Sequence, residues 1–368
     1  MNLLSRLRSL RSSSHSARRT HGNPSTPVRP EMAFILCETL ESRRLMSGSA
    51  FEGHHRHEGD SGPAVVQDRN HASEGSRAHH SITYAISVVA SGLTRPTGIA
   101  VGRDGNLFFT QVPTPGVAGG SNSVVKLNSE TGAQTILHSG EPEPTNIAVD
   151  REGNLYWTCK SAGVILEQKP DGTTTKLLTG LDKPTGIAIA PDGKTLYFTQ
   201  IPTPGVKGVD GGTNTVSKLD IASGAVTVLH RGDPEPADVA VDRAGNVYWT
   251  CRTAGVIVEQ TPEGTTTVLL RGLNKPVGIA VDASGKNLYF TEVPTPGVKG
   301  VDGGTNTVNR VNLRTLERTI LHSGDPEPRD ITVDRKGNVY WTCSSAGVIV
   351  EAKRSHDFGG DDQEESGK

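Results

Sequence analysis

The chain has 368 residues, a formal net charge of −2, 43 glycines, 22 prolines and only three methionines. Its sequence has no apolar run long enough to cross a membrane and no basic stripe within its repeats. This composition indicates a turn-rich β protein, and it argues against a membrane span and against nucleic acid as a partner.

The first 80 residues differ in composition from the rest. Residues 1–30 are rich in Arg and Ser, and the apolar stretch 32–37 is too short for the hydrophobic region of a signal peptide. Residues 49–80 have too little apolar surface to fold, which predicts a linker. Irregular spacing favours a solvated linker over a metal site for its six histidines, which are His54, His55, His57, His71, His79 and His80.

One segment of this leader carries a resemblance. Residues 38–48, ETLESRRLMSG, resemble the LExRxLLS segment found near the start of many large exported or surface proteins of some bacteria. The resemblance implies an export-related segment at 32–49 and an exported or cell-surface location, and it leaves Met1 and Met32 open as the start. We expect residues 1–80 to be a disordered leader, 81–355 a folded domain and 356–368 a disordered acidic tail.

From Ile82 onward the chain reads as short strands and turns. Residues 184–232, for example, contain four runs of alternating apolar, β-branched and aromatic residues, separated by Asp-Gly or Ser-Gly turns and one long Gly/Pro loop. This pattern predicts four antiparallel strands per unit.

Two periods organise the folded part. Trp157, Trp249 and Trp341 lie 92 residues apart, and a proline-led strand of the form P-x-[G/N/D]-I-[A/T]-[V/I] occurs twice in each period. The third residues of its six copies are Gly98, Asn146, Gly186, Asp238, Gly278 and Asp330. A plain unit therefore alternates with an inserted unit that has a longer loop. We predict an all-β, six-bladed β-propeller built from three two-blade repeats.

The ends of the folded part predict how the ring closes. The last unit stops after its third strand and runs into the acidic tail, so its fourth strand is missing. Residues 82–90 have a strand pattern at the corresponding distance before the next proline-led strand. We expect this N-terminal strand to complete the last blade and close the ring.

The proline-led unit resembles that of the NHL-repeat propellers. It runs from Pro96 to Phe108 in its first copy and from Pro328 to Tyr340 in its last. The stretch LYFTE, ending at Glu292, also looks like a unit of the virginiamycin B lyase family. The gluconolactonase group shares the blade number, but Arg95-Pro96-Thr97 replaces the acidic EGP opening of its first blade. The resemblance implies a six-bladed propeller, a fold that hosts binding modules, lactonases and lyases alike.

The unusual sequence features are predicted to lie on one face. Four alternating strands place the start of strand one, the loop between strands two and three and the end of strand four on the same side. The features found there are the turns HSGEPEPTN (138–146), HRGDPEPAD (230–238) and HSGDPEPRD (322–330) and the inserted loops 112–122, 202–214 and 294–306. We expect a binding site on this face.

Asn146, Asp238 and Asp330 stand where the inserted blades carry glycine, at the head of the innermost strand. Three oxygen-bearing side chains near one axis could coordinate Ca²⁺ or Mg²⁺, or hold a polar ligand. Alternatively, they bond their own backbone, as Asn and Asp commonly do. Three glutamates precede them by three residues and either face the mouth of the ring or are solvated: Glu143, Glu235 and Glu327.

Three histidines repeat within the fold: His138, His230 and His322. Each could be a general base or a metal ligand, although a residue copied with its repeat is also kept for packing or by ancestry. We expect the three tryptophans to pack between blades. Cys159, Cys251 and Cys343 share the strand face of the tryptophans and read as buried thiols, too far apart for a disulfide.

These patterns leave three functions open. A non-catalytic module that binds a protein, glycan or small ligand fits the near-threefold repetition and the lack of a unique catalytic set. A metal-assisted lactone hydrolase or C–O lyase fits the family resemblance and the three axial Asx residues. The near identity of the repeats also permits a purely structural role. In each case we expect a monomer.

Overall fold

A computed structural model describes residues 65–66, 82–113, 122–140, 142–202, 213–294 and 305–356. All regular secondary structure in these residues is β. It forms six antiparallel sheets that are the blades of a propeller, as the sequence predicts. The export-related segment, the linker histidines and residues 357–368 of the predicted tail 356–368 lie outside the described residues.

The chain enters the described part through β1 (Val65–Val66) and β2 (Ile82–Ala90). Blades 1 to 3 comprise β3 (Pro96–Val101), β4 (Leu107–Gln111), β5 (Ser123–Leu127), β6 (Gln134–Ser139), β7 (Pro144–Val149), β8 (Leu155–Cys159), β9 (Val164–Gln168), β10 (Thr174–Leu178), β11 (Pro184–Ile189), β12 (Thr195–Gln200), β13 (Thr215–Asp220) and β14 (Val226–Arg231). Blades 4 to 6 comprise β15 (Pro236–Val241), β16 (Val247–Cys251), β17 (Val256–Gln260), β18 (Thr266–Leu270), β19 (Pro276–Val281), β20 (Asn287–Glu292), β21 (Thr307–Asn312), β22 (Arg318–Ser323), β23 (Pro328–Val333), β24 (Val339–Cys343) and β25 (Val348–His356). Blades 1, 3 and 5 are the inserted blades.

Blade 6 closes the ring with a strand from the other end of the chain. Strand β2 pairs with β25 along nearly its whole length, from Ile82 opposite His356 to Ala90 opposite Ile349. The predicted closing strand, residues 82–90, is confirmed. The structure adds the two-residue strand β1, which pairs with β2 and makes this sheet five-stranded.

The core lies between blades. Trp157, Trp249 and Trp341 are fully buried, and each packs with apolar residues of its own blade and of the preceding one. Their role in inter-blade packing is as predicted. The three cysteines two residues further along the same strands are buried and form no disulfide. Burial is the main cause that raises the pKa of the Cys251 and Cys343 thiols above the ordinary range.

A ring of buried threonines joins the blades near the axis. In every blade the register between strands one and two shifts after the leading proline. The N–H of the third residue of strand one then hydrogen-bonds to a threonine hydroxyl of strand two, at 2.8 Å for Gly98 and Thr110 and 3.2 Å for Asn146 and Thr158. Each hydroxyl donates to a carbonyl oxygen of the next blade. The six members of this threonine ring are Thr110, Thr158, Thr199, Thr250, Thr291 and Thr342.

Within the described residues, no helix has the length and hydropathy to cross a membrane.

Candidate functional site

The described ends of both kinds of unusual loop lie on one face. Strand one of each blade begins there, and strands two and four end there. The Asn214 side chain, at the end of one inserted loop, donates through Nδ2 to the carbonyl oxygen of Asp233 at 2.7 Å, and Asn306 donates to Asp325 at the same distance. We call this side of the ring the loop face. The inserted loops between their ends, and Glu141, lie outside the described residues.

Asn146, Asp238 and Asp330 come together near the loop-face end of the axis. All three are buried, with only 7 %, 4 % and 7 % of their surface exposed. Asn146 Nδ2 donates to Asp238 Oδ1 at 2.7 Å, and Asp238 and Asp330 hydrogen-bond to each other. We call these three residues the axial cluster. A cavity of about 270 Å³, lined by the first strands of all six blades, contains them.

Backbone N–H groups occupy the remaining oxygens of the axial cluster. Each member accepts, through Oδ1, the N–H of the residue that follows it, at 2.6 to 2.8 Å. The second oxygen of Asp238 accepts from Ile279 of blade 5 at 2.9 Å, and that of Asp330 accepts from Ile99 of blade 1 at 2.7 Å. The contacts to the following backbone N–H are the Asx behaviour weighed from the sequence, and the contacts between blades could not be read from it.

At the third position of strand one, glycine alternates with Asn or Asp because backbone of the next blade fills the space beside each glycine. A Cβ on Gly98 would lie 2.6 Å from the Cα of Asn146, and one on Gly186 would lie 2.5 Å from the Cα of Asp238. Gly278 is equally close to Asp330, at 2.7 Å. Because these contacts are with backbone, no side chain can replace a glycine without moving a blade.

Burial and mutual proximity favour the protonated form of the two carboxyl groups of the axial cluster. Burial raises the pKa of Asp238 to about 7. Burial, together with the negative charge of Asp238, raises the pKa of Asp330 well above its ordinary value. Two adjacent buried carboxyl groups cannot both ionise without a counter-charge, so they share a proton instead.

As arranged, the axial cluster does not fit a divalent cation. The Asn146 oxygen accepts the Ile147 N–H, so this residue turns its NH₂ group rather than its oxygen towards Asp238. Ca²⁺ and Mg²⁺ need oxygen ligands that are free to face the ion. No group of three or more His, Cys, Asp or Glu residues in the described ranges is arranged to hold a metal.

Glu143, Glu235 and Glu327 occupy a left-handed backbone conformation on the loop face, with φ of 54°, 52° and 56°. Each precedes the proline that starts strand one, a position in which a positive φ is strained. Each carboxylate accepts a hydrogen bond from a hydroxyl of the strand two–three turn, donated by Ser161, Thr253 or Ser345. The glutamates are therefore held in place rather than free in solvent.

The inserted blades carry basic residues at the same position. Arg95, Lys183 and Lys275 also have positive φ, at 44°, 49° and 50°. Acidic and basic side chains thus alternate around the loop face. Burial opposes ionisation of Glu327, but the Ser345 hydroxyl and the charges of Arg329 and Arg95 prevail and lower its pKa.

Each repeated histidine packs on the tryptophan of the following plain blade. The ring centroids are 5.2 Å apart for His138 and Trp157, 5.5 Å for His230 and Trp249 and 5.8 Å for His322 and Trp341. This contact lies within each 92-residue repeat and joins its two blades. The packing alternative weighed from the sequence therefore has a direct structural counterpart.

Two aspartates that were not among the predicted site residues contact both the histidine and the tryptophan of such a pair. Asp233 lies 3.2 Å from His230 Nε2 and accepts the indole N–H of Trp249 at 2.6 Å. Asp325 makes the same pair of contacts, at 3.2 and 2.6 Å, in the next repeat. The hydrogen bond to Asp233 raises the pKa of His230, although burial acts in the opposite direction. The H-x-G-D spacing was the available signal for this contact.

Blade 5 breaks the threefold pattern at Glu292. This carboxylate is 1 % exposed, accepts the Asn274 N–H at 2.6 Å and pairs with Arg318, whose guanidinium lies 5.3 Å from the Phe290 ring centroid. Gln111 and Gln200 accept the corresponding N–H in blades 1 and 3. Glu292 keeps that contact and adds a buried ion pair with Arg318, which was not anticipated from the sequence.

Solved structures with this architecture are numerous. The chain is similar to a gluconolactonase from Xanthomonas campestris (TM-score 0.59, 16 % identity, covering 74 % of this chain and 90 % of that chain). Virginiamycin B lyase from Staphylococcus aureus matches with a TM-score of 0.51 and 18 % identity, over 74 % of this chain and 88 % of that one. A nidogen/laminin complex matches with a TM-score of 0.55 and 19 % identity, over 69 % of this chain and 94 % of that one.

The chain shares its fold with enzymes and binding proteins alike. No protein-family model matches it, and no curated protein does. The expected likeness to gluconolactonase and virginiamycin B lyase propellers is confirmed at the level of fold. The NHL-repeat resemblance and the export-related segment stay predictions.

Proposed function

We propose that this chain is a non-catalytic binding propeller that recognises a protein, glycan or small-molecule ligand with its loop face. The observation that carries the proposal is the closure of the axial cluster. Its amide and two carboxyl groups hydrogen-bond to one another and to five backbone N–H groups. Such a cluster stabilises a ring and offers few groups to a substrate.

The loop face carries the features suited to recognition. Six charged residues of alternating sign sit on strained backbone around the ring, and hydroxyl groups fix the three glutamates among them. Backbone strain that recurs at equivalent positions is typical of sites kept for function. Alternating charges favour a partner with a matching pattern and oppose partners of uniform charge.

The test is to screen the full chain against glycan arrays and candidate protein ligands and to compare loop-face variants. Replacing Glu143, Glu235 and Glu327 by Gln removes three charges with little change in shape. A matched control replaces Glu130, Glu152 and Glu263, which are exposed on the opposite face. We expect a ligand whose affinity falls at least tenfold in the first variant and is unchanged in the second. Equal effects of the two variants would contradict recognition by the loop face.

A metal-assisted lactone hydrolase or C–O lyase remains the second candidate. It is favoured by the paired carboxyl groups Asp238 and Asp330, whose raised pKa values are typical of acid–base sites, and by the shared fold with enzymes of both kinds. Turnover of lactones or cyclic esters in the presence of Ca²⁺ or Mg²⁺, lost on Asp238→Asn, would establish this candidate and reject the binding proposal.

A further inference from the structure

The face opposite the loop face has its own opening onto the axis. A cavity of about 260 Å³ lies there, lined by the strand one–two turns of all six blades. Four arginines from four blades line it: Arg103, Arg151, Arg243 and Arg335. All four side chains are exposed. We call this set the arginine ring.

The arginine ring has no internal partners. None of its guanidinium groups forms a hydrogen bond or an ion pair with any residue in the described part of the chain. A guanidinium presents five N–H donors in a planar fork that matches phosphate and carboxylate oxygens. Four such groups at one small cavity make a set of donors available to an anion that enters it.

Four aspartates share the mouth, but their own turns occupy them. Asp150 accepts the N–H groups of Glu152 and Asn154 at 3.0 and 2.8 Å, and its second oxygen accepts the Asn154 side chain and the Tyr156 hydroxyl. Asp242, Asp282 and Asp334 likewise accept hydrogen bonds from backbone N–H groups and an asparagine side chain of their own turns. These carboxylates stabilise the turns, while the arginines beside them remain available.

Comparison of the plain blades shows that three of the four arginines recur at one position of the turn. The plain blades carry the turns Asp-Arg-Glu-Gly-Asn, Asp-Arg-Ala-Gly-Asn and Asp-Arg-Lys-Gly-Asn at 150–154, 242–246 and 334–338. Asp, Gly and Asn have structural reasons to persist, since they form the turn. The exposed third position differs between the copies, as Glu152, Ala244 and Lys336, yet the equally exposed second position is Arg each time. Common ancestry alone would not distinguish the two positions.

From these observations we propose that the arginine ring binds a small, multiply charged oxyanion carrying phosphate or carboxylate groups at the axial mouth opposite the loop face. Three of its arginines follow the threefold repeat, so an anion with several charged groups can engage them together. Bidentate guanidinium–oxyanion contacts are stronger and more specific than contacts between point charges. This site is independent of the loop-face proposal.

The test uses tripolyphosphate and citrate as probes in calorimetric titrations of the full chain. We expect about one anion per chain, with affinity that weakens as NaCl rises from ~50 to ~300 mM because exposed charges are screened. Replacing Arg151, Arg243 and Arg335 by Ala should weaken binding at least tenfold. Binding of only one probe identifies phosphate or carboxylate as the preferred group.

A control variant removes the same charge elsewhere. Lys169, Arg314 and Lys353 are exposed and do not line the mouth, so their replacement by Ala should leave binding unchanged. A triple Arg→Gln variant, checked for an unchanged unfolding temperature, repeats the test without loss of side-chain length. The proposal is overturned if neither anion binds at millimolar concentration, or if the arginine and control variants bind equally.

Discussion

Asn146 of blade 2 and Asp238 of blade 4 are joined across the axis by a hydrogen bond of 2.7 Å from Nδ2 to Oδ1. They occupy the same position in successive 92-residue repeats, so one repeated position is used to hold different blades together. The difference between the amide of Asn146 and the carboxyl groups of Asp238 and Asp330 matters for hydrogen bonding. Asn146 supplies an N–H donor that a third carboxylate could not, and burial favours the protonated form of Asp330, in which its carboxyl group can donate to Asp238.

The shared proton of the axial cluster predicts a pH-dependent stability. Both aspartates have a pKa that is higher in the fold than in the unfolded chain, so between pH 4 and 7 the folded state binds more protons. The free energy of unfolding should therefore fall as pH rises from about 4 to 7. Urea unfolding at several pH values measures it.

The variant Asp330→Asn isolates the source of this pH dependence. It can keep an oxygen for the Ile99 N–H and an N–H donor for Asp238, but it gives up the acceptor of the Ile331 N–H and removes one titrating group. His230, whose pKa is also raised, contributes a slope of the same sign. The variant should flatten the slope without abolishing it, and an unchanged slope would exclude the axial cluster as its source.

The threonine ring predicts a cost for removing one hydroxyl. Thr342 accepts the N–H of Asp330 at 3.2 Å and donates to the carbonyl oxygen of Thr97 at 2.7 Å, which joins the last blade to the first. Thr342→Val leaves both groups buried and unpaired, and we expect a loss of about 2 kcal/mol. Thr342→Ser, which keeps the hydroxyl, should lose about 1 kcal/mol or less. Equal losses would show that packing rather than hydrogen bonding explains the effect.

The close approach of blades at Gly186 predicts that no side chain is tolerated there. Because a Cβ would lie 2.5 Å from the Cα of Asp238, Gly186→Ala should destabilise by about 3 kcal/mol as blades 3 and 4 move apart. Gly232 has φ of 87° and open space around it, so Gly232→Ala carries only the conformational cost of about 1 to 2 kcal/mol. Thermal unfolding measures the loss of stability in both variants, and a greater loss for Gly232→Ala than for Gly186→Ala would contradict the packing argument.

The histidine contacts predict a specific titration shift. Asp233→Asn removes the carboxylate that raises the pKa of His230, which should then fall towards its ordinary value near 6.5. NMR titration of the His230 imidazole checks this, and a His230 pKa that stays raised would assign the shift to another neighbour.

Periodicity was sufficient to predict the fold. The 92-residue spacing of Trp157, Trp249 and Trp341 and the missing last strand determined blade number and closure, because each reflects a repeated backbone pattern. The axial convergence of Asn146, Asp238 and Asp330 followed from the same repeat. The hydrogen-bond partners of these three residues could not be predicted from the repeat, because contacts such as that of Asp330 with Ile99 join residues 231 apart in sequence and depend on the geometry of the ring.

Sequence patterns could not predict which hydrogen-bond partners the side chains find in the fold. Nothing in the spacing of Thr342 indicates that its hydroxyl bridges two blades. Glu143 adopts a positive φ although it precedes a proline, where such a conformation is unexpected. Asp233 and Arg318 were likewise missed, because their partners lie on other strands or in a neighbouring blade.

The central claim is that the axial cluster holds the ring together and that recognition occurs outside it. Calorimetric titration of the full chain with Ca²⁺ and Mg²⁺, together with unfolding temperatures in each ion, tests this most directly. We expect no binding at millimolar concentration and no change in unfolding temperature. Tight binding of one ion per chain, lost in the Asp238→Asn, Asp330→Asn double variant, would contradict the account and place a metal site on the axis.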